Sequence, residues 1–158
     1  KTCLSGEHIN NFDMKISSVV QNRIPKQIII QWLRKHNIFA RRIDESKFLK
    51  YKYYPDLPGN NTLCGSWGVI RKYLRGNLVF RPSYKSLMFY DRFLEPWRDF
   101  IPIESDFSDL YEKYIWAENN QNKSIKIAWN GFCIAKKYLK NIDHYFMSCA
   151  MKNITILV

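Results

Sequence analysis

Residues 67–80, Trp67-Gly68-Val69-Ile70-Arg71-Lys72-Tyr73-Leu74-Arg75-Gly76-Asn77-Leu78-Val79-Phe80, spell one helix, one stop and one strand in succession. Apolar side chains recur at helical spacing over 67–74. Gly76-Asn77 then ends the helix, because both residues enter left-handed backbone at low steric cost. Leu78-Val79-Phe80 is short and wholly apolar, the kind of strand that is buried on both faces of a parallel sheet. A helix feeding such a strand is the repeating unit of an α/β layer fold.

The same alternation extends in both directions. Upstream, residues 14–20 read as a strand. Pro25 sits where a helix begins, and 27–36 carries Ile28, Ile29, Trp32 and Leu33 at helical spacing. Residues 50–54 read as a second strand, stopped by Pro55 and the Pro58-Gly59 turn signal. Downstream, 85–92 is a helical candidate ahead of Pro96, and 100–103 is another buried strand. Ser105-Asp106 stands before Phe107, Leu110, Tyr111 and Tyr114, which predicts a capped amphipathic helix. Ile125, Ala128, Trp129, Phe132, Ala135 and Leu139 mark a second helix, and 142–151 a third. No repeat or low-complexity linker interrupts the chain. The expectation is a single domain over 1–158, an α/β fold with a Rossmann-like parallel sheet flanked by helices, which fits one half of a two-domain enzyme. The first residue is Lys1 rather than Met, as in a processed product or a fragment.

The chain has 158 residues, 46% apolar and 16% aromatic, enough for one sizeable core. Lysine and arginine number 25 against 14 acidic residues, for a net charge of +11. That excess is +7 over 1–55, +3 over 56–100 and +1 over 101–158. Such a field favours anionic partners, and it is equally the mark of a soluble protein of high pI. The basic residues are not interleaved with aromatics, which speaks against a nucleic-acid surface. No stretch approaches the roughly 20 apolar residues of a membrane span. Cys3, Cys64, Cys133 and Cys149 lack metal-ligand spacing, and His8, His36 and His144 stand far apart. Cys133 and Cys149 fall in apolar helical patterns where a buried free thiol is expected. Three Asn-x-Ser/Thr triplets, at Asn60, Asn122 and Asn153, leave the compartment open.

The densest run is Gly59-Asn60-Asn61-Thr62-Leu63-Cys64-Gly65-Ser66-Trp67-Gly68, followed by Arg71 and Lys72. It joins a strand to a helix, the edge at which open α/β sheets bind ligands. Small residues let a backbone approach a phosphate, and a helix start offers free N–H groups. Arg71 is placed to bring a planar guanidinium to a diphosphate. A glycine-asparagine turn with Ser66 as a helix cap accounts for the same residues, and the run matches no dinucleotide or P-loop fingerprint.

An ordered string of blocks goes further: Asp56-Leu57-Pro58-Gly59-Asn60, Cys64-Gly65-Ser66-Trp67, Leu78-Val79-Phe80, Phe89-Tyr90-Asp91-Arg92, Leu94-Glu95-Pro96-Trp97, Phe100-Ile101-Pro102-Ile103, Asp106-Phe107-Ser108-Asp109-Leu110 and residues 127–135. Over roughly 50–145 this string resembles glycosyl transferase family 90, the capsule-associated and protein O-glucosyltransferase group. Asp99 stands where that family often has His, and Leu87 where Glu or Gln is common.

The resemblance implies the C-terminal, donor-binding half of a GT-B enzyme with two Rossmann-like domains. Such an enzyme transfers glucose or xylose from a UDP-sugar, with inversion and without a metal, to a hydroxyl of a protein or glycan acceptor. Gly65, Ser66 and Arg71 would face the diphosphate, and Gly59, Asn60 and Thr62 would shape the loop around it. The 106–110 helix start, Tyr84 and Tyr90 would border the nucleoside. The general base belongs to an N-terminal acceptor domain, so no catalytic residue is assigned here; Asp13, Asp44 and Glu45 read as solvated carboxylates. The alternative is a non-catalytic carbohydrate- or nucleotide-binding module derived from such an enzyme. The compartment would be the endoplasmic reticulum or Golgi lumen for a eukaryotic-type member, and the cytoplasm for a viral or bacterial one.

Elsewhere the residue types suggest packing or solvation. Trp97, Trp116, Trp129, Tyr111 and Phe132 fall on apolar faces and are expected in the core. Trp67 is more open. Arg41, Arg42, Lys47, Lys50 and Lys52 read as a solvated loop, and His144 as a packed helical residue.

Overall fold

The computed structural model describes residues 15–19, 23–42, 44–58, 68–88 and 90–140. The chain forms two compact units, Lys1–Lys50 and Tyr51–Val158.

In the first unit, helix α1 (Lys26–Lys35) starts after Pro25, whose φ of −52° suits the turn into the helix. Arg34 and Lys35 occupy the last turn, where cations meet the negative end of the helix dipole. Leu33 is its buried residue. The strand expected over 14–20 is reduced, within its described part, to one bridge between Ile16 and Phe39. The Ile16 N–H donates to the Ile38 carbonyl at 2.8 Å, and the Ala40 N–H to the Ile16 carbonyl at 3.1 Å. Ile16 is exposed, and Lys15, Ser17 and Ser18 offer no apolar face to extend the pairing. Residues Glu45–Lys50 coil into a 3-10 turn.

The second unit is built on a parallel sheet of order β1-β2-β3: β1 (Tyr53–Pro55), β2 (Leu78–Pro82) and β3 (Ile101–Ile103). Tyr54 pairs with Val79, and Arg81 with Pro102. All five residues of β2 are buried, as expected of the central strand of a covered parallel sheet. Pro55 is the last residue of β1, so the strand ends on it as expected, a position that an edge strand tolerates. Helix α2 (Val69–Leu74) makes the crossover. Gly76 (φ +76°) then turns the chain into β2, its N–H donating to the Tyr73 carbonyl at 2.9 Å.

The helix expected over 85–92 is absent among the described residues; a 3-10 turn, Asp91–Phe93, stands in its place. Asp91 Oδ2 accepts the Met88 N–H at 2.6 Å, taking the backbone donor that a helix would have used. Helix α3 (Leu110–Asn119) starts later than Ser105-Asp106 suggested. Phe107 has φ +62°, which no helix accepts, and Asp106 instead takes the Ser108 N–H at 3.0 Å. Helix α4 (Gln121–Lys140) follows at once, fastened by the Ser124 hydroxyl, which donates to the Ala117 carbonyl at 3.0 Å.

The buried stripe of α4 is Ser124, Ile127, Gly131 and Ala135, at helical spacing. Two expectations fail for residues off that stripe. Cys133 is a free thiol but exposed, and Trp129 is 62% exposed. Trp97, also expected in the core, is 44% exposed. Its φ of +63° puts it in a left-handed turn ahead of β3. Trp116, Tyr111 and Phe132 are half-buried. The core of this unit is Val69, Tyr73, Val79, Tyr90 and Ala135, with Ile70, Met88, Leu94 and Phe100 packed on it. The helix expected over 142–151, with His144 and Cys149, lies outside the described residues.

Candidate functional site

The carboxyl ends of β1 and β2 carry a cluster of buried charge. Asp56, directly after β1, is fully buried, its N–H donating to the Phe80 carbonyl at 2.7 Å. Its Oδ1 accepts from Lys72 Nζ of α2 at 2.8 Å. Its Oδ2 lies 3.4 Å from Arg81 Nε and accepts from the Tyr84 hydroxyl at 3.1 Å. The same hydroxyl reaches the Asp56 carbonyl at 2.8 Å. Arg81 Nη2 pairs in turn with Asp91 Oδ1 at 2.5 Å. Three rings surround the Arg81 guanidinium: Tyr84 at 5.3 Å, Tyr90 at 5.6 Å and Phe100 at 5.8 Å from its central carbon.

A guanidinium loses charge less readily than an ammonium and is less strongly hydrated, so arginine suits a buried pair. Burial pulls the Lys72 ammonium below the ordinary lysine value, with Asp56 pulling the other way. Burial, reinforced by the neighbouring Asp56 carboxylate, pushes the Tyr84 phenol up. The phenol of Tyr84 therefore stays protonated beside the carboxylate it bonds. Tyr84 and Arg81 also line a cavity of about 190 Å³, with Ser83, Leu87, Asp91 and Phe100. Its volume is below the few hundred Å³ of a whole small-molecule site and suits one ring or one anionic group.

Of the residues singled out in the sequence, Arg71 is exposed on α2, next to Lys72. Gly59, Asn60, Thr62, Gly65 and Ser66 lie outside the described residues, in the segment joining Asp56 to α2. Tyr84 reaches the cavity, whereas Tyr90 is packed in the core with its ring against Arg81. Asp99 is buried; it accepts the Glu95 N–H at 2.8 Å and pairs with Arg98 at 2.7 Å, serving the turn before β3. Lys72, Arg81 and Asp91 went unnoticed as a group. Arg81 carried a usable signal, a charge at the end of an apolar buried run, which demands a partner. Among the described residues no cluster of three or more His, Cys, Asp or Glu is disposed to hold a metal ion, and no helix is long and apolar enough to cross a membrane.

A parallel α/β layer with polar groups gathered at the carboxyl ends of its strands is of the Rossmann-like class, whose members bind ligands at that edge. Residues 8–152 match the profile of glycosyl transferase family 90. The chain belongs to that family, and the match begins well upstream of residue 50. It is 32% identical over 93 residues to protein O-glucosyltransferase 3 of Homo sapiens, covering 59% of this chain and 18% of that one. It is 32% identical over 95 residues to protein O-glucosyltransferase 2 of Danio rerio, covering 58% and 18%. It is 29% identical over 105 residues to protein O-glucosyltransferase 1 of Bos taurus, covering 66% and 25%. The chain thus spans a quarter or less of the length of these relatives.

Proposed function

We propose that this chain binds the nucleotide-sugar donor of a UDP-sugar-dependent transferase, for inverting transfer of glucose or xylose to a hydroxyl of a protein or glycan. The observation that carries the reading is the convergence of Asp56, Arg81 and Tyr84 at the carboxyl ends of β1 and β2, beside the cavity. Arg71, exposed on the helix that follows 59–68, is suited to a diphosphate oxygen. Tyr84 brings its ring, and Ser83 its hydroxyl, to the nucleoside side of the same edge. The names of the relatives support glucose as the sugar and a protein hydroxyl as the acceptor. The donor needs no metal in this reading. The proton of the acceptor hydroxyl goes to a base outside this chain, on an acceptor domain.

Calorimetry with UDP tests the proposal. Binding in the micromolar-to-millimolar range, weakened about tenfold or more by Ser66→Ala or Arg71→Ala, is the expected result. A folded chain that binds no UDP rules the proposal out. Binding of UDP-glucose with neither transfer nor hydrolysis, even with an acceptor domain supplied, would favour the second reading of a module without turnover.

A further inference from the structure

A second cleft, of about 550 Å³, opens at the amino-terminal end of β3, the opposite strand end from that carrying Asp56 and Tyr84. Pro96, Trp97 and Arg98 form one wall, Trp116 of α3 the next, and Lys123, Lys126, Ile127 and Asn130 of α4 the third. The α4 residues recur at three- and four-residue spacing, so they share one helix face. The volume lies within the range of small-molecule sites and admits two sugar rings.

Its chemistry is of two kinds. Trp97 and Trp116 meet edge to face, with centroids 4.9 Å apart at 73°; Lys113, paired with Asp109, stands over the Trp97 ring at 5.4 Å, and Trp97 still keeps 44% of its surface exposed. The turn that bears Trp97 is fixed on both sides. The Trp97 N–H donates to the Phe100 carbonyl at 2.7 Å, and Asn130 Nδ2 donates to the Arg98 carbonyl at 3.0 Å. Lys123 and Lys126, by contrast, are exposed and have no ion-pair partner among the described residues. No acidic side chain lines the cleft. Arg98 is engaged with Glu95 and Asp99, so the two lysines supply the uncompensated charge.

We propose that this cleft binds an anionic saccharide, a pyranose bearing sulfate or carboxylate. Its ring lies against the part of the Trp97 indole left exposed by Lys113 and Trp116, and its anionic group is held by Lys123 and Lys126. The C–H bonds on one face of a pyranose are polarised by ring oxygens and meet the electron-rich face of an indole favourably. An uncharged apolar ligand would leave two ammonium groups facing it without a counter-charge. A nucleic acid would need a long basic track, whereas these cations sit on one helix face in a region, 101–158, of net charge +1. The assignment does not rest on donor binding at the other strand end.

The test is titration of the whole 158-residue chain, followed by tryptophan emission and calorimetry, at fixed low salt. The probes are a sulfated heparin tetrasaccharide, a hyaluronan tetrasaccharide, neutral maltotetraose and inorganic sulfate. One or both anionic tetrasaccharides should bind with a change in emission, and maltotetraose and sulfate at least about tenfold more weakly. Lys123→Gln with Lys126→Gln should cost about tenfold or more, while Lys136→Gln, an exposed lysine of α4 outside the cleft, stays within about twofold. Trp97→Ala should abolish the emission change, and if it fails to fold the lysine pair carries the test. No binding of either anionic probe, equal binding of maltotetraose or sulfate, or an equal loss from Lys136→Gln overturns the proposal.

Discussion

A β-carbon on Gly131 would come within 2.6 Å of Cδ1 of the Tyr73 ring and 2.7 Å of the Asp99 carbonyl oxygen. Gly131 is therefore the point at which α4 closes onto α2 and onto the turn before β3. The ring is buried and the carbonyl belongs to the backbone, so neither yields cheaply. Gly131→Ala is expected to destabilise the second unit by about 1–3 kcal/mol despite the gain in helix propensity. A urea melt measures it, and an unchanged midpoint would show that α4 sits looser on α2.

Asp56 compensates two buried cations at once. Asp56→Ala should cost about 3–5 kcal/mol, because it strands the Lys72 ammonium and weakens the hold on Arg81. Asp56→Asn combined with Lys72→Met should recover much of that loss, since Arg81 keeps Asp91. Denaturant curves of the single and double variants give the coupling, and strict additivity would contradict the pairing.

Alkaline pH should unfold this unit in steps set by its tyrosines. Burial, and then the hydrogen bond to Glu118, push the Tyr53 phenol up to about 12. Tyr73 and Tyr84 are raised too, mainly by burial. In the unfolded chain these phenols ionise near pH 10. Between there and the folded value the native state holds more protons, so its stability falls as pH rises. Phenolate absorbance should lag behind that of free tyrosine until unfolding, and Tyr53→Phe should remove one slow-titrating group. Ordinary titration of Tyr53 in the folded protein would refute the burial assigned to it.

Cys133, exposed on α4, should alkylate under native conditions, read by mass mapping of its peptide. Cys133→Ser should change stability by less than about 0.5 kcal/mol. A protected thiol would restore the buried position that its apolar neighbours first suggested.

What the amino-acid order disclosed and what it hid divide along physical lines. Leu78-Val79-Phe80 was readable because burial on both faces leaves an unbroken apolar run. The helix of α4 was readable too, but not its buried face: of Ile125, Ala128, Trp129, Phe132 and Ala135 only Ala135 is buried, and Ser124, Ile127 and Gly131 complete the stripe. The helix expected over 85–92 failed because one side chain, Asp91, captured the Met88 N–H, a local competition that periodicity does not register. The contact between Asp56 and Lys72 spans 16 residues and exists only once β1 and α2 are side by side. Trp97 and Trp129 were assigned inward by residue type, yet both face out, because hydrophobicity says nothing about which side of a turn or helix is occupied. The glycine-rich loop was legible as a motif, and its ordered neighbours supplied the family.

The prolines of the sheet bear on how the protein keeps to itself. The Asp56 N–H turns inward to Phe80, so by the alternation of a strand the position of Pro55 turns outward. In β3 the pairing of Arg81 with Pro102 likewise leaves the proline nitrogen on the side away from β2. Among the described residues each edge strand, only three residues long, thus lacks one of the donors that an incoming strand would seek. Among the described residues tryptophans are exposed on the surface while a proline blunts each edge strand of the sheet, so edge-to-edge pairing is disfavoured.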